Sequence, residues 1–136
     1  MSPFHRVELS HAGRVILLQR SARQYQDAAE LNQERLLLRE ALDKLGRAGR
    51  GLLIDSRVAP HSTDERLKEE FRRFRLDLVR GFERVAALVR TKVGILQVQR
   101  LVADGISSVQ AFDDEAAAIA YLLQQTIAPP RRPSMR

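Results

Sequence analysis

Short apolar runs at residues 15–18, 52–54, 85–89 and 109–112 are separated by segments whose apolar residues recur at helical spacing. A chain that alternates in this way folds as a sheet with parallel pairings covered by helices, because each helix must return the chain across the sheet before the next parallel strand begins. Residues 4–10 alternate along a strand-like period, His11-Ala12-Gly13-Arg14 supplies a turn, and Val15-Ile16-Leu17-Leu18 is β-branched and apolar. Residues 4–10 and 14–20 are therefore predicted to form a hairpin whose second strand is the more buried.

Ala28, Leu31, Leu38, Leu42 and Leu45 share one face of a 3.6-residue period, interrupted by Arg35, with Glu30, Glu34, Arg39 and Asp43 lying mainly elsewhere. This spacing predicts a helix over about 24–46, ended by Gly46 or Gly49. A short strand at 51–55 follows. Ser62-Thr63-Asp64-Glu65 fits a capping box that starts a helix near 63, with Leu67, Phe71, Phe74 and Leu78 as its apolar face and Gly81 as its exit. Beyond it the pattern predicts a strand at 85–89, a helix at 92–103, a strand at 109–112 and a last helix capped by Asp113 or Asp114. Its inner stripe is expected to be Ala116, Ile119, Ala120 and Leu123. The order is ββαβαβαβα, an α/β class with a mixed sheet. Residues 1–128 read as one domain, and the Pro- and Arg-rich residues 129–136 as a disordered basic tail.

Composition narrows function mainly by exclusion. The 136 residues contain no cysteine, which removes disulfides, Cys-ligated zinc and thiol catalysis. The longest uncharged run, residues 116–130, is 15 residues and falls short of the ~20 that span a bilayer. No signal-peptide layout is visible at Met1-Ser2-Pro3-Phe4-His5-Arg6, so a cytoplasmic protein is expected. The net charge of +6 is unevenly spread: residues 47–100 hold 13 basic and 7 acidic groups, and residues 101–128 hold 4 acidic and no basic ones. Many of the basic residues stand beside acids within helices, as in Glu65-Arg66-Leu67-Lys68-Glu69-Glu70, which describes a solvated face. Nucleic-acid readers need a groove-entering element or interleaved aromatics, yet Phe71 and Phe74 belong to an apolar face.

Leu52-Leu53-Ile54-Asp55-Ser56-Arg57 after the first helix, and Val109-Gln110-Ala111-Phe112-Asp113-Asp114-Glu115-Ala116 at the end, resemble the bacterial STAS-like superfamily. The closer resemblance is to small stand-alone STAS and CRAL-TRIO-like domains, and it spans about residues 4–123. It implies a STAS-like fold and a role in protein interaction or ligand binding, without catalysis. In anti-anti-sigma members a Ser after an Asp, at the start of the helix that follows the central strand, is phosphorylated. Matching their strand-end Asp to Asp55 without a gap puts that pair on Thr63-Asp64, an acid at the acceptor position, whereas a shift of one or two residues substitutes Thr63 or Ser62.

The candidate residues follow from topology. In parallel sheets ligands gather at the carboxyl ends of strands, where helix N-termini point. Those ends should bring together Ser56, Arg57, Arg90 and Thr91, with Ser62, Thr63 and Lys92 at helix starts, as a site for an anion or an acidic partner. The competing reading pairs Arg57 with Asp55 or Asp64 and leaves Arg90 solvated. His5, His11 and His61 lack metal-ligand spacing, His61 reads as a surface residue, and no nucleophile motif or phosphate loop occurs. No catalytic residue, metal or cofactor is expected. The chain reads as a non-enzymatic regulatory or scaffolding module that binds a partner protein, with self-association as one form of that binding. The alternatives are a carrier of a small apolar or anionic ligand and a weak, non-specific nucleic-acid binder.

Overall fold

The computed structural model describes residues 2–60, 64–91, 96, 99 and 109–124. Five strands form one sheet in sequence order: β1 (His5–Ser10), β2 (Val15–Arg20), β3 (Gly51–Asp55), β4 (Arg84–Leu88) and β5 (Val109–Phe112). β1 and β2 are antiparallel and every later pair is parallel. The sheet is thus mixed, as the alternation of patterns requires. The hairpin turn holds His11, Ala12 and Gly13 in succession at φ of 54°, 57° and 81°. The two residues with a Cβ carry the strain of that region, and Gly13 carries none.

Helix α1 (Ala28–Leu45) starts four residues later than its apolar pattern suggests. Asp27 is the reason: its carboxylate accepts from the backbone N–H of Glu30 at 2.8 Å and fixes the start. Asp64 similarly caps a single 3-10 turn, Glu65–Leu67, which leads into α2 (Lys68–Val79). The expected cap Ser62, the helix-start residue Thr63 and nearly all of the expected 92–103 helix lie outside the described residues. α3 (Glu115–Leu122) is capped by Asp114, which accepts from Ala117 N–H at 3.0 Å.

α1 and α2 cover one sheet face, where Ile16, Leu18, Leu52 and Val85 pack with Leu31, Leu38, Leu42, Phe74 and Leu78. α3 covers the other, where Val15, Leu53, Ala86 and Leu88 meet Ala118 and Leu122. The inward stripe of α3 is therefore Ala118 and Leu122, with Ile119, Tyr121 and Leu123 half-buried; Ala116 and Ala120 are exposed, which corrects the expected stripe. The offset arises because helix and sheet approach closely at Gly51, where an added Cβ would lie 3.1 Å from Leu122 Cβ. A second correction concerns α1. The residue that breaks its buried stripe is Glu34, not Arg35, which is only half-buried.

Arginines tie the elements together away from the carboxyl edge. Arg47, buried beside Phe82, donates to the backbone oxygens of Asp77 and Arg80 at 2.6 and 2.7 Å and so caps the C-terminus of α2. Arg50 donates to Gly13 O and Gly46 O, joining the hairpin turn to the end of α1.

Candidate functional site

The parallel register aligns the strand ends. Gln19 stands opposite Asp55, and Asp55 opposite Leu88, so β2, β3 and β4 finish along one edge. The pairing continues briefly past the strands: Ser56 N–H donates to Leu88 O at 2.9 Å, and Val89 N–H to Phe112 O at 2.8 Å. Ser56, Arg57, Arg90 and Thr91 are thereby gathered on this edge. Ser62, Thr63 and Lys92 lie outside the described residues.

Arg57 is the organising side chain. A turn closed by Ala59 N–H to Ser56 O folds the chain back, so that the Arg57 guanidinium reaches the carboxylate two residues before it. Its Nε and Nη2 donate to the two Asp55 oxygens at 3.0 and 2.8 Å, its backbone N–H donates to Asp55 Oδ1 at 3.1 Å, and Nη2 also reaches Glu115 Oε1 at 3.2 Å. Burial pushes the Asp55 carboxyl up, but the Arg57 hydrogen bonds outweigh it and hold the group below its ordinary value. The Asp55 bonds, followed by the charge of Glu115, hold the Arg57 guanidinium above its own. Arg57 is thus committed to two carboxylates, the pairing with Asp55 that the sequence offered as the competing reading. Asp64 pairs instead with Arg66. Arg90 is exposed and makes no ion pair with another described residue.

Arginines of α2 and the first residue of β4, Arg84, are engaged as well. Arg72 and Arg73 reach Glu69, Arg75 lies 5.5 Å over the Phe71 ring, and Arg84 lies 5.7 Å over that of Tyr121. No group of three or more His, Cys, Asp or Glu able to hold a metal occurs among the described residues. No described helix is long and apolar enough to cross a membrane.

A second polar cluster at the same edge was not apparent from local pattern. His5, at the start of β1, donates or accepts through Nδ1 to Glu34 Oε2 at 2.8 Å, and Ser2 Oγ donates to the same oxygen at 2.6 Å. Both His5 and Glu34 are buried. Burial is the largest influence on His5 and lowers its pKa, against the opposing pull of Glu34. Burial would raise Glu34, but the bonds from His5 and Ser2 bring it below its ordinary value. The consistent state is a neutral imidazole donating Nδ1–H to a charged carboxylate. His5 stacks on Phe74 at 5.6 Å, and Phe4 stacks on Tyr25 at 4.3 Å. The sequence signal for this cluster was an acid three residues after Leu31 and four before Leu38, on the apolar stripe itself.

No family model matches the chain, and no curated protein matches it. A solved structure does: an uncharacterised DUF3478-family protein with a SpoIIAA-like fold from Shewanella loihica PV-4, with a TM-score of 0.65 and 17% identity. The match covers 90% of this chain and 98% of that one. The chain has a SpoIIAA-like, that is STAS-like, fold. At this identity the likeness carries the fold alone.

Proposed function

We propose that the chain is a non-enzymatic binding module that engages a partner protein through the carboxyl edge of its sheet. The observation that carries this reading is the Asp55–Arg57–Glu115 cluster, which joins the end of β3 to the start of α3 and leaves Val58, 55% exposed, standing beside it. An apolar point within a fixed polar rim is how protein interfaces are built, and side chains already held in place lose little freedom on binding. Ser56, Arg90 and Thr91 extend the rim, and Ser62, Thr63 and Lys92 flank it in sequence. Phosphorylation of Ser62 or Thr63 would add charge a few residues along the chain from Val58 and so alter the choice of partner. Self-association through the same edge is one form of the reading.

The test places a photo-crosslinking side chain at position 58, and for comparison at the exposed position 40 on α1, in the protein expressed in cells. A discrete adduct formed from position 58 alone, and lost when Arg90→Glu is added, is the expected result; an adduct of twice the chain mass identifies self-association. Equal adducts from both positions, or none from position 58, would overturn the reading.

A further inference from the structure

Arg20 is the last residue of β2 and is only 9% exposed, yet its guanidinium is half satisfied. Nη1 donates to Ser21 O at 2.7 Å and approaches Ser21 Oγ at 3.4 Å, while Nε and Nη2 have no acceptor among the described residues. Its plane is held by two rings, with its central carbon 4.8 Å from the Tyr25 centroid and 5.6 Å from that of Phe4. The nearest buried acid, Glu34, is committed to His5 and Ser2 and forms no ion pair with Arg20. A buried cation without a carboxylate partner is costly, and its free donors face whatever fills the space before them.

That space is a groove of about 560 Å³, lined among others by Pro3, Arg6, Gln19, Arg20, Ser21 and Val58. It falls within the ~300–1,000 Å³ of small-molecule sites. No Asp or Glu lines it, whereas two arginines do. Pro3, Ala22 and Val58 supply apolar wall.

We infer that this groove binds a small organic oxyanion, a carboxylate or phosphate head on a short apolar body, with Arg20 as the fixed anchor and Arg6 as the outer charge. Two parallel N–H donors on a planar guanidinium match two oxygens of either head, and the ring contacts with Phe4 and Tyr25 hold that fork in place before the ligand arrives. Arg6, on the exposed side of β1, adds attraction at the mouth without being buried. The groove shares Val58 with the partner-binding edge but none of its charged residues, since Arg57 and Arg90 do not line it, so the charge variants of the two sites test them separately.

The experiment titrates the isotopically labelled full chain with hexanoate, hexyl phosphate, hexanol and hexylammonium, following backbone amide signals. The inference expects saturable shifts at residues 19–22 and 58 with hexanoate or hexyl phosphate, the stronger of the two identifying the head group, and none with hexylammonium. Arg20→Met, which retains the contact with Phe4 and Tyr25, should weaken that binding by about tenfold or more. Arg20→Lys should fall between, since it keeps the charge and loses the fork. Arg6→Gln, an exposed change that leaves folding untouched, should weaken binding by a few-fold and serves as the deciding variant if Arg20→Met does not fold. Hexanol binding as tightly as hexanoate, anion shifts centred elsewhere, no shifts with either anion, or an Arg6→Gln affinity equal to the parent's would each overturn it.

Discussion

Two arginines at the same sheet edge have opposite fates. Arg57 stands two residues past the end of β3 and is closed on both sides by Asp55 and Glu115. Arg20 ends β2, is far more deeply buried, and keeps two donors free. The difference lies in where the nearest acid stands in the chain. Asp55 is two residues from Arg57, so a turn is enough to pair them, whereas Glu34 comes to the β2 end on another element and is already taken by His5. A basic residue at a strand end is therefore an anion site only where the fold has left it without a carboxylate, and sequence proximity to an acid is what removes it from consideration.

The aromatic supports of the two ends sharpen the contrast most. Phe74 is 6% exposed and stacks on His5, so Phe74→Ala should cost about 3–5 kcal/mol in urea denaturation through the cavity it leaves. Phe112, half-buried and 5.5 Å from the Tyr121 ring, supports the other end, and Phe112→Ala should cost nearer 2 kcal/mol, about half the value of a fully buried ring. Equal losses would mean that the two ends are built alike. Next in size, His5→Phe preserves the ring stack but strips the buried Glu34 carboxylate of its main partner, at a cost of about 3 kcal/mol. The double variant His5→Phe with Glu34→Leu should recover most of that loss, since no buried charge remains. A double variant as unstable as the single one would show that the pair is not what orders this end.

The contrast also marks how far the sequence could be read. The strand order, the order of the described helices, the parallel pairings and the α1/α2 core were legible because they rest on periodicity, which local residues express. Asp55 with Arg57 was legible as well, because the partners are two residues apart. The Glu34–His5 pair was not, since its members are 29 residues apart and each looks ordinary alone. The inward face of α3 was misread for a related reason. Its run of alanines has little amphipathic contrast, and which of them faces inward is set by the close approach of Leu122 to Gly51, a tertiary fact.

Acid should separate the two ends by pH. His5 in the fold titrates below its ordinary value of 6.5, so below 6.5 the unfolded chain takes up a proton that the native state refuses. Stability present at neutral pH is then lost as pH falls from 6.5 toward the folded value. Glu34, held below 4.5, and Asp55, held below 3.8, act in the same direction but only at lower pH, where the unfolded state protonates first. Urea midpoints against pH should therefore show an upper decline that belongs to the β1–β2 end and a lower one shared by both ends. His5→Phe should abolish the upper decline and, because it removes the bond that lowers Glu34, shrink the lower one toward the share that belongs to Asp55; an upper decline that persists in that variant would assign it elsewhere.

The smallest effect is expected at Arg57, and it decides whether the closed cluster is a surface or a part of the core. Its side chain is 40% exposed and Glu115 58%, so solvent screens both ion pairs, and such pairs contribute about 0–1 kcal/mol. Arg57→Ala should accordingly leave the urea midpoint almost unmoved. The Asp55 carboxyl should respond much more, because burial would then act against only the backbone N–H at residue 57, and its NMR titration should move upward from the depressed native position. A stable variant with a raised Asp55 describes an edge whose charges are arranged for recognition and not for folding. If Arg57→Ala instead destabilised the chain as much as His5→Phe does, both ends of the edge would be structural, and the distinction between a closed arginine and an open one would lose its functional meaning.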